Sequence, residues 1–187
     1  MTQDARDGTV AVWALARALE QDLTAFGAVI SIESPGQAEV LRAEDRGHAF
    51  VQLVLAFDDV AENEARAGGE SGRRPPDASD VRRALDFARQ HRRRDLMIHC
   101  KMGISRSTAV ATAVLADRCG PGREKEAVGM VMGSVARYEP NRTVLALADL
   151  VLGRGGALVA AVTESQTRPS SEPVGDDPLV GSPAAAV

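Results

Sequence analysis

The run from Asp95 to Gly120, DLMIHCKMGISRSTAVATAVLADRCG, constrains the fold more than any other part of the chain. Asp95 to His99 is a short apolar, β-prone run, and STAVATAVLADRCG is an Ala/Val-rich pattern of helical length stopped by Gly120-Pro121-Gly122. Only a tight loop containing Gly103 lies between them. A strand that feeds such a loop and opens directly into a helix is a unit of an α/β sheet. Its loop amides and the positive end of the helix together form an anion-binding geometry.

The rest of the chain agrees with that class. Thr9 to Trp13 and Ala28 to Ile32 are β-rich runs separated by the helix-like WALARALEQDL, and the second stops at the turn Ser34-Pro35-Gly36. His48 to Phe57 is a longer β-prone run that ends in Asp58-Asp59. Ser79 is the expected N-cap of DVRRALDFARQ, where Val81, Leu85 and Ala88 recur at helical spacing and Asp80 puts a carboxylate in the first turn. REKEAVGMVMGSVARY and TVLALADLVLG, the latter opened by Pro140-Asn141, read as further helices. This alternation predicts an α/β domain with a central, mostly parallel sheet flanked by helices and the site at the C-terminal ends of its strands. Residues 61–78, AENEARAGGESGRRPPDA, have no hydrophobic period and are expected to be a lid, a binding loop or a disordered insertion. Beyond about Val162 the chain is rich in proline and poor in anything to bury. The expected division is one domain over residues 1–162 and a disordered tail over 163–187.

Composition excludes several function classes. The net charge is −4, and of 22 Lys and Arg residues only Lys101 and Lys125 are lysines. Arg92-Arg93-Arg94 is a local basic knot, read as a solvated helix end, so neither nucleic acid nor a membrane is an expected partner. The N-terminus carries acids before an interrupted apolar stretch, unlike a secretory signal or a membrane span, and a cytoplasmic address is expected. Cys100 and Cys119 cannot form a disulfide framework and lack zinc-type spacing, so no metal or other cofactor is expected.

Cys-x5-Arg by itself is a weak signal in so arginine-rich a chain. With His99 before the cysteine, Gly103 three after it and Ser107 after the arginine, the chance of a random match falls to roughly one in ten thousand. The chemistry explains the spacing. A thiolate can attack phosphorus only if the thiol, with an ordinary pKa near 8.5, ionises near neutrality. Backbone N–H groups converging from Lys101, Met102, Gly103, Ile104 and Ser105, the helix's positive end and Arg106 favour that anion, and the same donors hold a phosphate dianion. Arg106 can grip two phosphate oxygens through its planar fork, and Ser107 can donate to the departing thiolate. His99 can orient the loop, and Lys101 can assist substrate charge. A proton donor must face the nucleophile. Asp58 and Asp59, at the end of a β-prone run and the root of the long loop, are the candidates, either of which could then activate water.

HCKMGISRS, His99 to Ser107, resembles the His-Cys-x5-Arg-Ser/Thr loop of the cysteine-dependent protein tyrosine phosphatases. It is most similar to the dual-specificity branch and to small bacterial proteins of that type. A strand ending in Asp before a variable loop and Tyr138-Glu139-Pro140-Asn141 add to the likeness, which spans about residues 9 to 152. The resemblance implies a cysteine-phosphatase fold, Cys100 as nucleophile, Arg106 as phosphate clamp, Ser107 as the hydroxyl aiding breakdown of a phosphocysteine, and Asp59 as acid, with Asp58 not excluded. It implies a phosphorylated protein, or a small phosphoester, as substrate. The Asp pair lies further from Cys100 than is usual in that family, so Asp77 and Asp80 are held in reserve. The remaining readings are a phosphoinositide as the small phosphoester, which Lys101 favours, a phosphate-binding protein without turnover, a thiol redox or sulfur-transfer protein and, for Cys119, either a buried helix-end thiol or a resolving partner for Cys100.

Overall fold

The computed structural model describes residues 6–47, 50–60, 72–167 and, as backbone, 179–180. Strand β1 (Val10–Ala14) runs without a loop into the short helix α1 (Leu15–Glu20). Strands β2 (Ala28–Glu33) and β3 (Val51–Ala56) follow, then helix α2 (Ala78–Gln90) and strand β4 (Leu96–Cys100). Helices α3 (Arg106–Cys119), α4 (Glu124–Met132), α5 (Arg142–Leu152) and α6 (Ala157–Thr167) come next, and a two-residue strand β5 (Leu179–Val180) ends the described chain. The sheet order is β3-β2-β4-β1-β5. β4 pairs parallel with β1 and β2, and β2 with β3, while β5 lies antiparallel on β1.

Successive strand residues point to opposite faces, and both faces are covered. Val12, Ile30, Ile32, Leu55, Ile98 and Cys100 share one core with Leu85 of α2, Val114 of α3, Val128 of α4 and Leu145 of α5. Ala11, Trp13, Val29 and Met97 face the other way, onto Leu15 and Ala18 of α1 with Leu23, Phe26, Leu41 and Phe50. Helix α3 is buried continuously from Arg106 to Ala116, because its small Ala and Val side chains let it sit between the sheet and its neighbouring helices. Strand β4 is buried at every position, so the loop between Cys100 and Arg106 is anchored at both ends in the core.

Several boundaries differ from expectation. Trp13, which closes the β-rich run and also opens the helix-like WALARALEQDL, lies in β1 as that run predicts, and Ala14 joins it, since the sheet pairs Trp13 with His99 and Ala14 with Cys100; the helix keeps only Leu15–Glu20. The N-cap of α2 is Asp77, not Ser79. Its carboxylate accepts from Ser79 N and Asp80 N at 2.7 and 3.0 Å, and Asp80 reaches back to Asp77 N at 3.1 Å. Helix α4 ends at Met132 instead of running to Tyr138, and the chain beyond it brings Glu139 N to Ile104 O and Asn141 N to Ser105 O in the loop after β4. The chain stays helical past Val162 to Thr167, with Ala161 and Val162 buried, and Leu179–Val180 pairs with β1, so a structureless tail from residue 163 does not hold over those stretches. The other tail residues, the start of the His48 run and residues 61–71 lie outside the described residues. Among the described residues no helix is long and apolar enough to cross a membrane.

Candidate active site

The loop after β4 is shaped by where its carbonyls go. Lys101 O accepts from Leu15 N at 3.3 Å, Ile104 O from Glu139 N at 3.2 Å and Ser105 O from Asn141 N at 3.2 Å, while Thr108 Oγ1 donates to Ile104 O and Ser105 O. Carbonyls tied outward leave the amides turned inward. Of the amides from Lys101 to Arg106, only that of Gly103 is engaged within the described residues, donating to Cys100 Sγ at 3.3 Å. Gly103 has a φ of +71°, and a Cβ there would meet Ala14 N at 2.7 Å and Trp13 C at 2.8 Å. The end of β1 thus packs against the loop so closely that only glycine fits.

Cys100, 2% exposed, ends β4 on the face that α3 covers, and its sulfur lies 3.1 Å from Ser107 Oγ. Arg106 opens α3, where the helix dipole disfavours a cation, and is only 5% exposed. Its Nη1 donates to Phe57 O at 2.8 Å and to Ser34 Oγ at 3.1 Å, while its buried Nε has no partner. Among the described residues this guanidinium meets neutral oxygens and no carboxylate. A buried cation with a free donor, beside unengaged amides and a helix N-terminus that no side chain caps, is arranged for a multiply charged oxyanion.

The two candidate acids part company. Asp58 faces the base of the long loop, where its amide donates to Arg74 O at 2.7 Å and its carboxylate accepts from Arg74 N at 2.8 Å. Asp59 faces the phosphate loop, where Oδ1 accepts from Ser105 Oγ at 2.8 Å and from Asn141 Nδ2 at 2.7 Å. Asp77 and Asp80 are committed to the α2 cap and to Arg74, which donates to Asp80 Oδ2 at 2.9 Å. Lys101 and Met102, the latter 64% exposed, point outward from the loop. Cys119 ends α3, about 20 Å along the helix from the Cys100 end, which rules out a disulfide between them; burial pushes its thiol up.

Behind the loop runs a buried polar chain on the opposite face of the sheet. Gln52 Nε2 donates to Ser31 Oγ at 2.7 Å, which lies 2.7 Å from His99 Nε2, and Gln52 also joins Leu41 O and Ala43 N. Burial, reinforced by the nearby charge of Arg42, pushes the His99 pKa down to about 4, so the ring is neutral at physiological pH. The tyrosine that packs beside the loop's far side, Tyr138, has its pKa pushed up to about 12 by burial, and its hydroxyl meets Thr112 Oγ1 at 2.9 Å. Sequence reasoning missed Ser34, read only as a turn residue, and saw Asn141 only as the opening of a helix. Nothing local marks the first, whereas the second carries a cap signal that hides its other contact. Among the described residues no three His, Cys, Asp or Glu side chains cluster to hold a metal ion.

Solved structures share this fold. The chain superposes on Tk-PTP in its active form with a TM-score of 0.54 at 21% identity, over 82% of this chain and 99% of that one. It superposes on DUSP15 with a TM-score of 0.55 at 15% identity, over 90% and 97%. For PTPMT1 in complex with PI(5)P the values are 0.55, 16%, 82% and 94%. The fold is that of the cysteine-dependent phosphatases. Neither a family model nor a curated protein matches the chain by sequence. In this phosphatase fold the strand β4, the Cys100–Arg106 loop and α3 are contiguous, and the Asp59 segment reaches them from β3.

Proposed function

We propose that the protein is a phosphomonoester hydrolase that dephosphorylates phosphotyrosine in proteins, and phosphoserine or phosphothreonine where the substrate reaches the loop. The observation that carries the reading is the buried, carboxylate-free guanidinium of Arg106 beside the Cys100 sulfur and the inward amides of one loop. In the first step the Cys100 thiolate forms an S–P bond as the P–O bond to the leaving group breaks, and Asp59 gives its proton to the departing oxygen. Arg106 and the loop amides hold the equatorial oxygens throughout. In the second step water forms the new P–O bond, its proton passes to Asp59, and the S–P electron pair returns to sulfur. There the Ser107 hydroxyl and the Gly103 amide, 3.1 and 3.3 Å away, receive the charge. No step requires a metal. The contact of Asp59 with Ser105 weighs against a phosphate-binding role without turnover, which would leave an acid at the loop unexplained.

A second substrate class is favoured by one feature. Lys101 stands exposed on the loop next to Met102, and a cation at the mouth suits a highly charged head group, the kind of ligand bound in the PTPMT1 complex. Turnover of p-nitrophenyl phosphate in EDTA by the wild type, absent in Cys100→Ser, is the expected result. Wild-type activity no greater than the Cys100→Ser background overturns the enzyme reading. Phosphate release from a phosphotyrosine peptide against release from PI(5)P then separates the two substrate classes.

A further inference from the structure

We propose that Asn141 is a positioning residue for the proton donor Asp59, and that with Ser105 it determines which carboxyl oxygen carries the transferred proton. The inference rests on the phosphatase reading above. The two ends of the Asn141 amide have separate tasks. Oδ1 accepts from Val144 N at 3.0 Å and caps α5, whereas Nδ2 donates to Asp59 Oδ1 at 2.7 Å and to Val60 O at 3.1 Å. Asn141 is 6% exposed, and its contacts with Val60 O and Val144 N are buried, so the amide that reaches out to Asp59 is held in place.

Its backbone is anchored to the phosphate loop through Asn141 N to Ser105 O, and the preceding residues are tied down by Glu139 N to Ile104 O and by the Tyr138 hydroxyl on α3. Asn141 therefore relates the acid to the loop across 82 positions of sequence through rigid parts alone. Thr143 Oγ1 adds a further donor to Val60 O at 3.3 Å, fixing the backbone next to the acid.

Ser105 Oγ supplies Asp59 Oδ1 with its second donor. An oxygen that accepts two hydrogen bonds plays the carbonyl part of a protonated carboxyl group. The proton is thus left to Oδ2, which has no partner among the described residues. Without the Asn141 donor the carboxyl group rotates more freely, and the loss shows most where protonation of the leaving oxygen limits the rate.

The test compares kcat/KM for phenyl phosphate, a poor leaving group, with that for 2,4-dinitrophenyl phosphate, a good one. Wild type, Asn141→Ser, Asp59→Asn and the double variant are measured. Asn141→Ser keeps an oxygen for the Val144 amide and removes the donor to Asp59; Asn141→Asp, of the same shape, is the second variant should the first fold poorly. Each Asn141 variant is expected to lose at least about tenfold more on phenyl phosphate than on the dinitrophenyl ester. In the Asp59→Asn background the same change is expected to add less than about twofold on phenyl phosphate. Equal losses on both esters, or losses that add fully to that of Asp59→Asn, overturn the positioning role while leaving the phosphatase reading intact. A wild type that turns over neither ester overturns both.

Discussion

The Cys100–Arg106 loop and the Asp59 segment face one another, yet they are held by opposite means. From Cys100 to Arg106 the loop is one short stretch between a buried strand and a buried helix, and its shape comes from backbone bonds and one glycine. The acid segment, Phe57 to Val60, leaves the sheet and is positioned by donors from elsewhere: Ser105, Asn141, Thr143 and the Arg74 backbone. The loop takes its shape from contiguous backbone. The carboxylate that meets it is held by side chains, which can be exchanged one at a time.

Mutations break this contrast in order of expected effect. Gly103→Ala forces a Cβ against the backbone of Trp13 and Ala14 at positive φ. A stability loss of about 2 to 4 kcal/mol in urea unfolding is expected, with turnover reduced by at least about a hundredfold as the loop amides are displaced. The two acids give the next test. Asp59→Asn is expected to lower kcat for phenyl phosphate by about a hundredfold or more, whereas Asp58→Asn, which can still accept from Arg74, changes it by less than about threefold. Similar losses for both variants, measured by steady-state kinetics, would erase the distinction drawn between them.

The polar chain behind the loop titrates. His99 has a folded pKa of about 4 against an ordinary 6.5, so the unfolded chain takes up the proton first. Its contribution is complete above pH 6.5 and is lost as pH falls toward 4, up to about 3 kcal/mol. Unfolding free energies measured across that window are expected to fall more steeply for the wild type than for His99→Gln. The smallest effect lies at the foot of the long loop, where Asp77→Ala removes the α2 cap and is expected to cost about 1 kcal/mol in thermal unfolding with little change in turnover.

Cys100, Gly103, Arg106 and Ser107 were legible because the strand, loop and helix that arrange them are consecutive. The parallel sheet was legible for the same local reason, since short continuous β-prone runs alternate with helical ones. Where elements were misjudged, tertiary contacts overrode propensity: Ala14 joined β1 by pairing with Cys100, and the chain after Met132 left α4 and brought Glu139 N to Ile104 O. Helix α6 went unread because its short Ala/Val run ends in polar residues, and only packing against α4 and α5 reveals the buried stripe of Leu158, Ala161 and Val162.

The sequence by itself determined the fold class and pointed to Cys100 and Arg106 as partners in one loop, because both follow from spacing along a few turns of chain. Only the tertiary structure shows that Asp59, and not Asp58, touches the loop, and brings Asn141 and Ser34 beside it. Adjacent residues at a strand end point in different directions, and which of them meets the loop depends on what approaches from 46 and 82 positions away.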